Sequence, residues 1–130
     1  MAEHPNAAMV RRVYEAFAKG DMAVVMREFD TDIAFHVPGQ NQVAGTYQGD
    51  DGFSAMIAKV MQLSEATFRE EVHDVLANDE HAVALAIHRL QRNGRAYEYT
   101  TAHVWHIHDG KLTELWEHPG DPQAFDEAWS

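Results

Sequence analysis

Thr67 to His118 reads TFREEVHDVLANDEHAVALAIHRLQRNGRAYEYTTAHVWHIHDGKLTELWEH, and three reversals inside it decide the fold. Asn78-Asp79, Asn93-Gly94 and Asp109-Gly110 are each flanked by alternating or β-rich sequence. Asn-Gly and Asp-Gly supply the positive φ angles that tight hairpins require, so the stretch divides into four antiparallel strands.

The length of each hairpin loop decides which side chains share a face, because a shift of one residue turns the whole strand over. With two-residue turns at Asn93-Gly94 and Asp109-Gly110, His103 shares a face with Ala82, Ala84, Ala86, Trp116 and His118. With three-residue loops and glycine in the bulge position, it shares one with Val83, Leu85, Ile87, Trp105, Ile107 and Leu115. The second register gathers the large aliphatic residues, with Phe68, Val72 and Leu76 from the first long strand, and is the one expected. Its inner face also carries Asp74, Tyr99, Thr101, His103, Thr113 and Glu117. Burying such groups without partners costs roughly 1 to 3 kcal/mol each, so they are expected to bond one another or to line a wet cavity, and the cavity is the more economical reading. The opposite face would hold Ala82, Ala84, Ala86, His88, Val104, His106, Glu114, Trp116 and His118, apolar enough to be a dimer surface.

Upstream, Val10, Val13, Tyr14 and Phe17 recur at helical spacing after Asn6 as N-cap, and Gly20 closes the helix. Asp21 caps a second helix bearing Met22, Val25, Met26 and Phe29. Ile33, Phe35 and Val37 form a short strand that enters a loop at Pro38-Gly39 running to about Gly49. Asp50 caps a third helix with Phe53, Met56, Ile57 and Val60 on its buried stripe. Downstream, Asp121-Pro122 opens a short last helix, Pro122 to Trp129, that packs Phe125 and Trp129.

The 130 residues predict one domain, 1–130, long enough to bury about two-thirds of its unfolded surface. There is no cysteine, which excludes disulfides, thiolate catalysis and cysteine-ligated metals. Ten Lys plus Arg against 21 Asp plus Glu give a charge of −11, which repels phosphate backbones and anionic lipid, so neither nucleic acid nor membrane is an expected partner. The start Met1-Ala2-Glu3-His4-Pro5 has no basic or apolar leader pattern and no apolar run is long enough to span a bilayer, so a soluble, cytoplasmic protein is expected.

Helix, helix, strand, helix and a four-stranded antiparallel run, with His103-Val104-Trp105 leading into Asp109-Gly110-Lys111-Leu112 and Trp116, resembles the SnoaL-like branch of the nuclear transport factor two-like, or ketosteroid isomerase-like, superfamily. Lys19-Gly20-Asp21 and Val75-Leu76-Ala77-Asn78-Asp79 carry the same resemblance, which covers nearly the whole chain. It implies an α+β fold in which a cone-shaped, curved antiparallel sheet wraps around N-terminal helices, a cystatin-like α+β barrel with a short C-terminal helix. It further implies a hydrophobic small molecule as ligand and a homodimer through the outer sheet face.

The superfamily hosts isomerases, cyclases, hydrolases, dehydratases and binding modules, so function rests on the site residues. The isomerase tyrosine falls at Val13, its loop base at Val37 and its second acid at His103; none of the three types is kept, so steroid isomerase activity is not expected. Epoxide hydrolases of this fold use Arg-x-Asp where this chain has Thr101-Ala102-His103, so that chemistry is not expected either. The SnoaL-type acidic residue near the end of the last strand corresponds to Asp121 or Glu117.

His103 is the first candidate acid/base, since an inner-face histidine near Trp105, Val83 and Leu115 is expected to hold protons less tightly and to titrate near neutrality. A core histidine bonded to Thr101 is the alternative. Glu117 at the cone mouth is expected to have a raised pKa suited to a general acid, or else to point to solvent. Asp121 is a candidate acid with helix capping as its competitor. Asp74, two strands from His103 and about 10 Å away, is expected to face the same ligand. Tyr14, Phe17, Phe35, Tyr47, Tyr99, Trp105 and Leu115 are the candidate substrate contacts, with Tyr47 placed to act as a lid or to lie at the surface. His106, His108, His88 and His118 share a face that no metal-ligand spacing supports, and neither metal nor cofactor is expected. A non-catalytic binding module or an assembly domain is the alternative to an acid/base enzyme.

Overall fold

The computed structural model describes residues 3–130, so the reading of Met1 and Ala2 lies outside the described residues. Pro5–Ala18 forms α1, Met22–Arg27 α2, Phe29–Val37 β1, Gly45–Gln48 β2 and Gly49–Leu63 α3. Arg69–Ala77, His81–Arg92, Arg95–His108 and Lys111–Pro119 form β3 to β6, and Pro122–Ala128 forms α4. The strands make one curved sheet in the order β2-β1-β6-β5-β4-β3, antiparallel except for the parallel ladder of β1 on β6. α1 packs on β3 and β4 and α3 on β1 and β2, so the helices close the concave face.

Local chemistry accounts for most boundaries. Pro5 takes the first turn of α1, where its missing N–H costs nothing, and His4 Nδ1 accepts from the Asn6 N–H at 3.1 Å. Asn6 is therefore inside the helix, and its side chain donates instead to the carbonyls of Asn78 and Asp79, fastening α1 to the β3–β4 turn. Asp21 caps α2 through Val24 N–H as expected. α3 starts one residue before the expected cap: Gln48 precedes it without a side-chain cap bond, while Asp50 and Asp51 sit in its first turn and complement the helix dipole. The region read as loop contains β2, paired along the end of β1. Gly52 lets α3 lie against β2, since a Cβ there would stand 2.9 Å from the Tyr47 carbonyl carbon.

Both glycine hairpins are two-residue turns. Asn93 and Gly94 adopt φ of 51° and 76°, Asp109 and Gly110 of 49° and 74°, and Arg92 pairs with Arg95 as His108 does with Lys111. His103 thus lies opposite Ala84, and the inner face of β4 is Ala82, Ala84, Ala86 and His88. This corrects the expected register of β4: Val83, Leu85 and Ile87 are on the outer face, half-buried. The three alanines are small enough for α1 to approach the sheet, which aliphatic bulk there would prevent.

On β6 the register recovers by a different route. Ile107 pairs with Leu112 but His106 with Glu114, so Thr113 is an extra residue that turns the strand over. Leu115 and Glu117 consequently face inward and Trp116 and His118 outward, as expected. A second irregularity sits at His73, between the Val72–Ala86 and Asp74–Leu85 pairs. It places Val75 and Ala77 inside and corrects Asp74 and Leu76, which were expected inside; Leu76 is 54% exposed.

The buried residues divide into a main cluster under α1 and α3, including Val10, Ile33, Phe35 and Phe53, and a second around Phe125 and Trp129. Asp121 caps α4 by accepting from Ala124 N–H at 3.1 Å, with Pro122 at the first helical position.

Candidate active site

Between the helices and the sheet lies a cavity of about 100 Å³. Phe29, Phe35, Phe53, Met56, Ile57 and Val60 form much of its apolar lining. One wall is polar, and it is built from two hydrogen-bonded chains running side by side.

In the first chain Trp105 Nε1–H donates to Tyr14 Oη at 3.0 Å, Tyr14 Oη stands 2.6 Å from His103 Nδ1, and His103 Nε2 stands 3.2 Å from Glu117 Oε2. In the second, Trp129 Nε1–H donates to Tyr99 Oη at 2.9 Å, Tyr99 Oη lies 2.9 Å from His88 Nδ1, and His88 Nε2 lies 2.6 Å from Glu70 Oε2. An indole can only donate, so each tyrosine oxygen accepts from its tryptophan and can pass its own proton to Nδ1. For a neutral imidazole that leaves Nε2–H to donate to the carboxylate.

Strand register sets this arrangement. Glu70 pairs with His88 and His88 with Tyr99 across β3, β4 and β5, while His103 pairs with Glu117 across β5 and β6. The chains also touch: Glu117 Oε2 is 3.7 Å from His88 Nδ1 and Glu70 Oε2 is 3.9 Å from His103 Nδ1. Thr101 donates to Glu117 Oε2 at 3.0 Å. The two carboxylate side chains are only 9% and 10% exposed, and no Lys or Arg lines the cavity among the described residues.

Burial alone would raise the Glu117 pKa, but the charge and hydrogen bond of His103, the charge of His88 and the Thr101 hydroxyl outweigh it and lower it to about 2. Burial likewise works against ionised Glu70, and His88 and His103 together bring it below the ordinary glutamate value. His103 is pulled down by burial and pushed up more strongly by Glu117 and Glu70, so its net shift is upward. Two expectations are corrected here: His103 holds its proton more tightly than a free histidine, and Glu117 is an ionised partner instead of a neutral acid. Both tyrosines are pushed well above the usual range, by burial first and then by the two carboxylates, and remain protonated donors.

Of the residues singled out from sequence, Tyr14, Phe17, Phe35, Tyr99, His103, Trp105, Leu115 and Glu117 border the cavity. Three do not. Tyr47 lies on β2, with its hydroxyl donating to the Val43 carbonyl at 2.8 Å. Asp74 is 53% exposed and lies 3.5 Å from Arg11, and Asp121 is engaged in its helix cap. Glu70, His88 and Trp129 were not anticipated. Glu70 shares parity with Phe68 and Val72, a signal present in the sequence, whereas His88 was hidden by the β4 register. Glu70, His88 and His103 present ligand atoms within 4.8 Å of one another, a donor set suited to a divalent cation; here those atoms are hydrogen-bonded to each other and to Tyr14.

The SnoaL-like domain profile matches residues 10–115, and the chain belongs to that family. It is 30% identical over 132 residues, covering 100% of both chains, to an uncharacterized protein of Mycobacterium tuberculosis. Its fold is similar to that of Bal32a, from a soil-derived mobile gene cassette, with a TM-score of 0.90, 28% identity and 96% of each chain covered. A protein of unknown function with a cystatin-like fold from Xanthomonas campestris is similar with a TM-score of 0.85, 25% identity, and 95% and 96% of the two chains covered. No described helix is long and apolar enough to cross a membrane.

Proposed function

We propose that this chain is a cofactor-independent acid/base enzyme, of isomerase, cyclase or hydratase type, acting on an apolar cyclic small molecule, with His103 as the central proton-transfer group. The observation that carries this reading is His103 held between the Tyr14 hydroxyl and the Glu117 carboxylate on the wall of an apolar cavity. Glu117 orients the imidazole and supports its protonated form, and His103 exchanges the proton with substrate through the Tyr14 hydroxyl on its Nδ1. Tyr14, kept protonated, donates to oxygen that becomes negative during reaction. Phe17, Phe35, Tyr99, Trp105 and Leu115 hold the apolar body of the substrate, and Asp121 serves α4 as its cap.

The test is a panel of neutral one- and two-ring ketones and hydroxyketones, followed by proton NMR in deuterated buffer for conversion or hydrogen exchange. Conversion that falls at least a hundredfold in His103→Gln and in Tyr14→Phe is expected. Conversion unchanged in both variants would sink the proposal.

A non-catalytic binding module is the second reading, favoured because both nitrogens of His103 are already engaged, by the Tyr14 hydroxyl and the Glu117 carboxylate. Ligand capture without turnover, unaffected by His103→Gln, would select it.

The remaining parts of the reading concern the whole chain. Residues 1–130 act as one domain, in the cytoplasm. Two copies pair through the outer sheet face, where Val83, Leu85, Ile87 and Val104 are half-buried and Trp116 is 40% exposed. The charge of −11 argues against nucleic-acid or anionic-membrane partners.

A further inference from the structure

We infer that His88, Glu70 and Tyr99 form a second proton-handling station, and that the site therefore takes a neutral ring compound with two proton-exchanging positions and moves a proton between them. This rests on the acid/base reading above and extends it to the substrate class.

The first support is duplication. Each chain runs Trp N–H, Tyr hydroxyl, His Nδ1, His Nε2 and Glu Oε2 in the same order, and both histidines border the same cavity. Packing alone gives little reason for this, because buried carboxylate–imidazole pairs lose much of their attraction to desolvation, and well-packed apolar groups stabilise as well or better. Nor does either chain need the other to satisfy its hydrogen bonds.

The second is connectivity. The imidazole rings lie 5.3 Å apart at 67°, close enough to reach two atoms of a single ring. Each carboxylate oxygen lies within 3.9 Å of both imidazoles, so a proton gained at one histidine has a route to the other without bulk water.

The third is charge. Two carboxylates with no Lys or Arg among the described lining residues can be balanced only by protons on the imidazoles. An anionic ligand would add a third negative charge at short range in a poorly screened site, which excludes carboxylates and phosphates and favours neutral compounds.

The step balances within the site. At the neutral imidazole, the tyrosine oxygen takes the proton from one substrate atom as its own proton passes to Nδ1, and the broken bond's electron pair enters the substrate's π system. The other, protonated imidazole passes its Nδ1 proton to its tyrosine oxygen and keeps the N–H electron pair, while that tyrosine gives its own proton to the second substrate atom, whose π electron pair forms the new bond. Total charge is unchanged, and proton transfer through Glu70 and Glu117 restores the starting state.

Three probes test this by histidine-labelled NMR: resorcinol, with two ring hydroxyls, phenol, with one, and benzoate, an anion of the same size. Resorcinol is expected to shift the resonances of both His88 and His103 and to bind at least tenfold more tightly than phenol, with benzoate weakest. Tyr99→Phe and Glu70→Gln, both close in shape to the native residues, should each remove that tenfold advantage by weakening resorcinol more than phenol. Two variants on different strands protect the test against one misfolding. Resorcinol that shifts His103 alone, or whose advantage survives both substitutions, overturns the second station and leaves the first standing. Probes that shift neither histidine overturn both readings.

Discussion

Glu117 is where burial and charge oppose each other most sharply, and its ionisation has a measurable consequence for stability. Its pKa is lowered from 4.5 to about 2 in the folded chain, so its contribution is fully present above about pH 4.5 and is lost as pH falls through about 2. His103 is raised, so its contribution is present below 6.5, the ordinary value, and is lost as pH rises through its higher folded value. Thermal melts are therefore expected to give a stability plateau between these limits, and Glu117→Gln to flatten the acid limb; an unchanged acid limb would contradict the pairing. Asp121 makes the opposite case. Its carboxylate accepts from Ala124 N–H, so Asp121→Ala should cost about 1 kcal/mol in denaturant unfolding and leave the His103 titration in place. Part of this site was legible in sequence: Tyr99, His103, Trp105, Leu115 and Glu117 share the inner face by strand alternation, and Tyr14 lies on the helical stripe that faces it. Glu70 was overlooked although it shares parity with Phe68 and Val72, and the pKa directions were missed because they depend on partners that only the register brings together.

At the scale of elements, the positions of the turns were readable, while their length and the strand bulges were not. Asn93-Gly94 and Asp109-Gly110 mark the reversals through residues that tolerate positive φ, but both are two-residue turns where three-residue loops were expected. Thr113 and the irregularity at His73 leave no such mark, because an extra residue in a strand needs no special composition. The large aliphatic residues of β4 also misled, since helix α1 needs the small alanines beneath it and the outer face takes Val83, Leu85 and Ile87. Deleting Thr113 should turn the end of β6 over, exposing Leu115 and Glu117 and burying Trp116. The expected loss exceeds about 4 kcal/mol, an uncommon size for a single-residue change, because both packing and the His103–Glu117 pair are lost. Denaturant unfolding checks it, and a loss under about 1 kcal/mol would mean that the bulge does not set the face.

Across the whole molecule the sheet separates two tasks. Its concave side, with α1 and α3, encloses the polar wall, and its convex side presents an apolar surface centred on β4, β5 and β6. If two copies pair there, sedimentation velocity should give a dimer for the native chain and a monomer for Trp116→Glu; a native monomer at tens of micromolar would remove the dimer from the account. The most direct test of the central claim, that His103 is a pocket acid/base group paired with Glu117, is an NMR pH titration of His103 with and without the ring compounds, with His103→Ala to assign its signal. The account predicts titration above the ordinary histidine value, moving when ligand binds and falling in Glu117→Gln. Titration at or below the ordinary value, indifferent to every ligand and to Glu117→Gln, would contradict it.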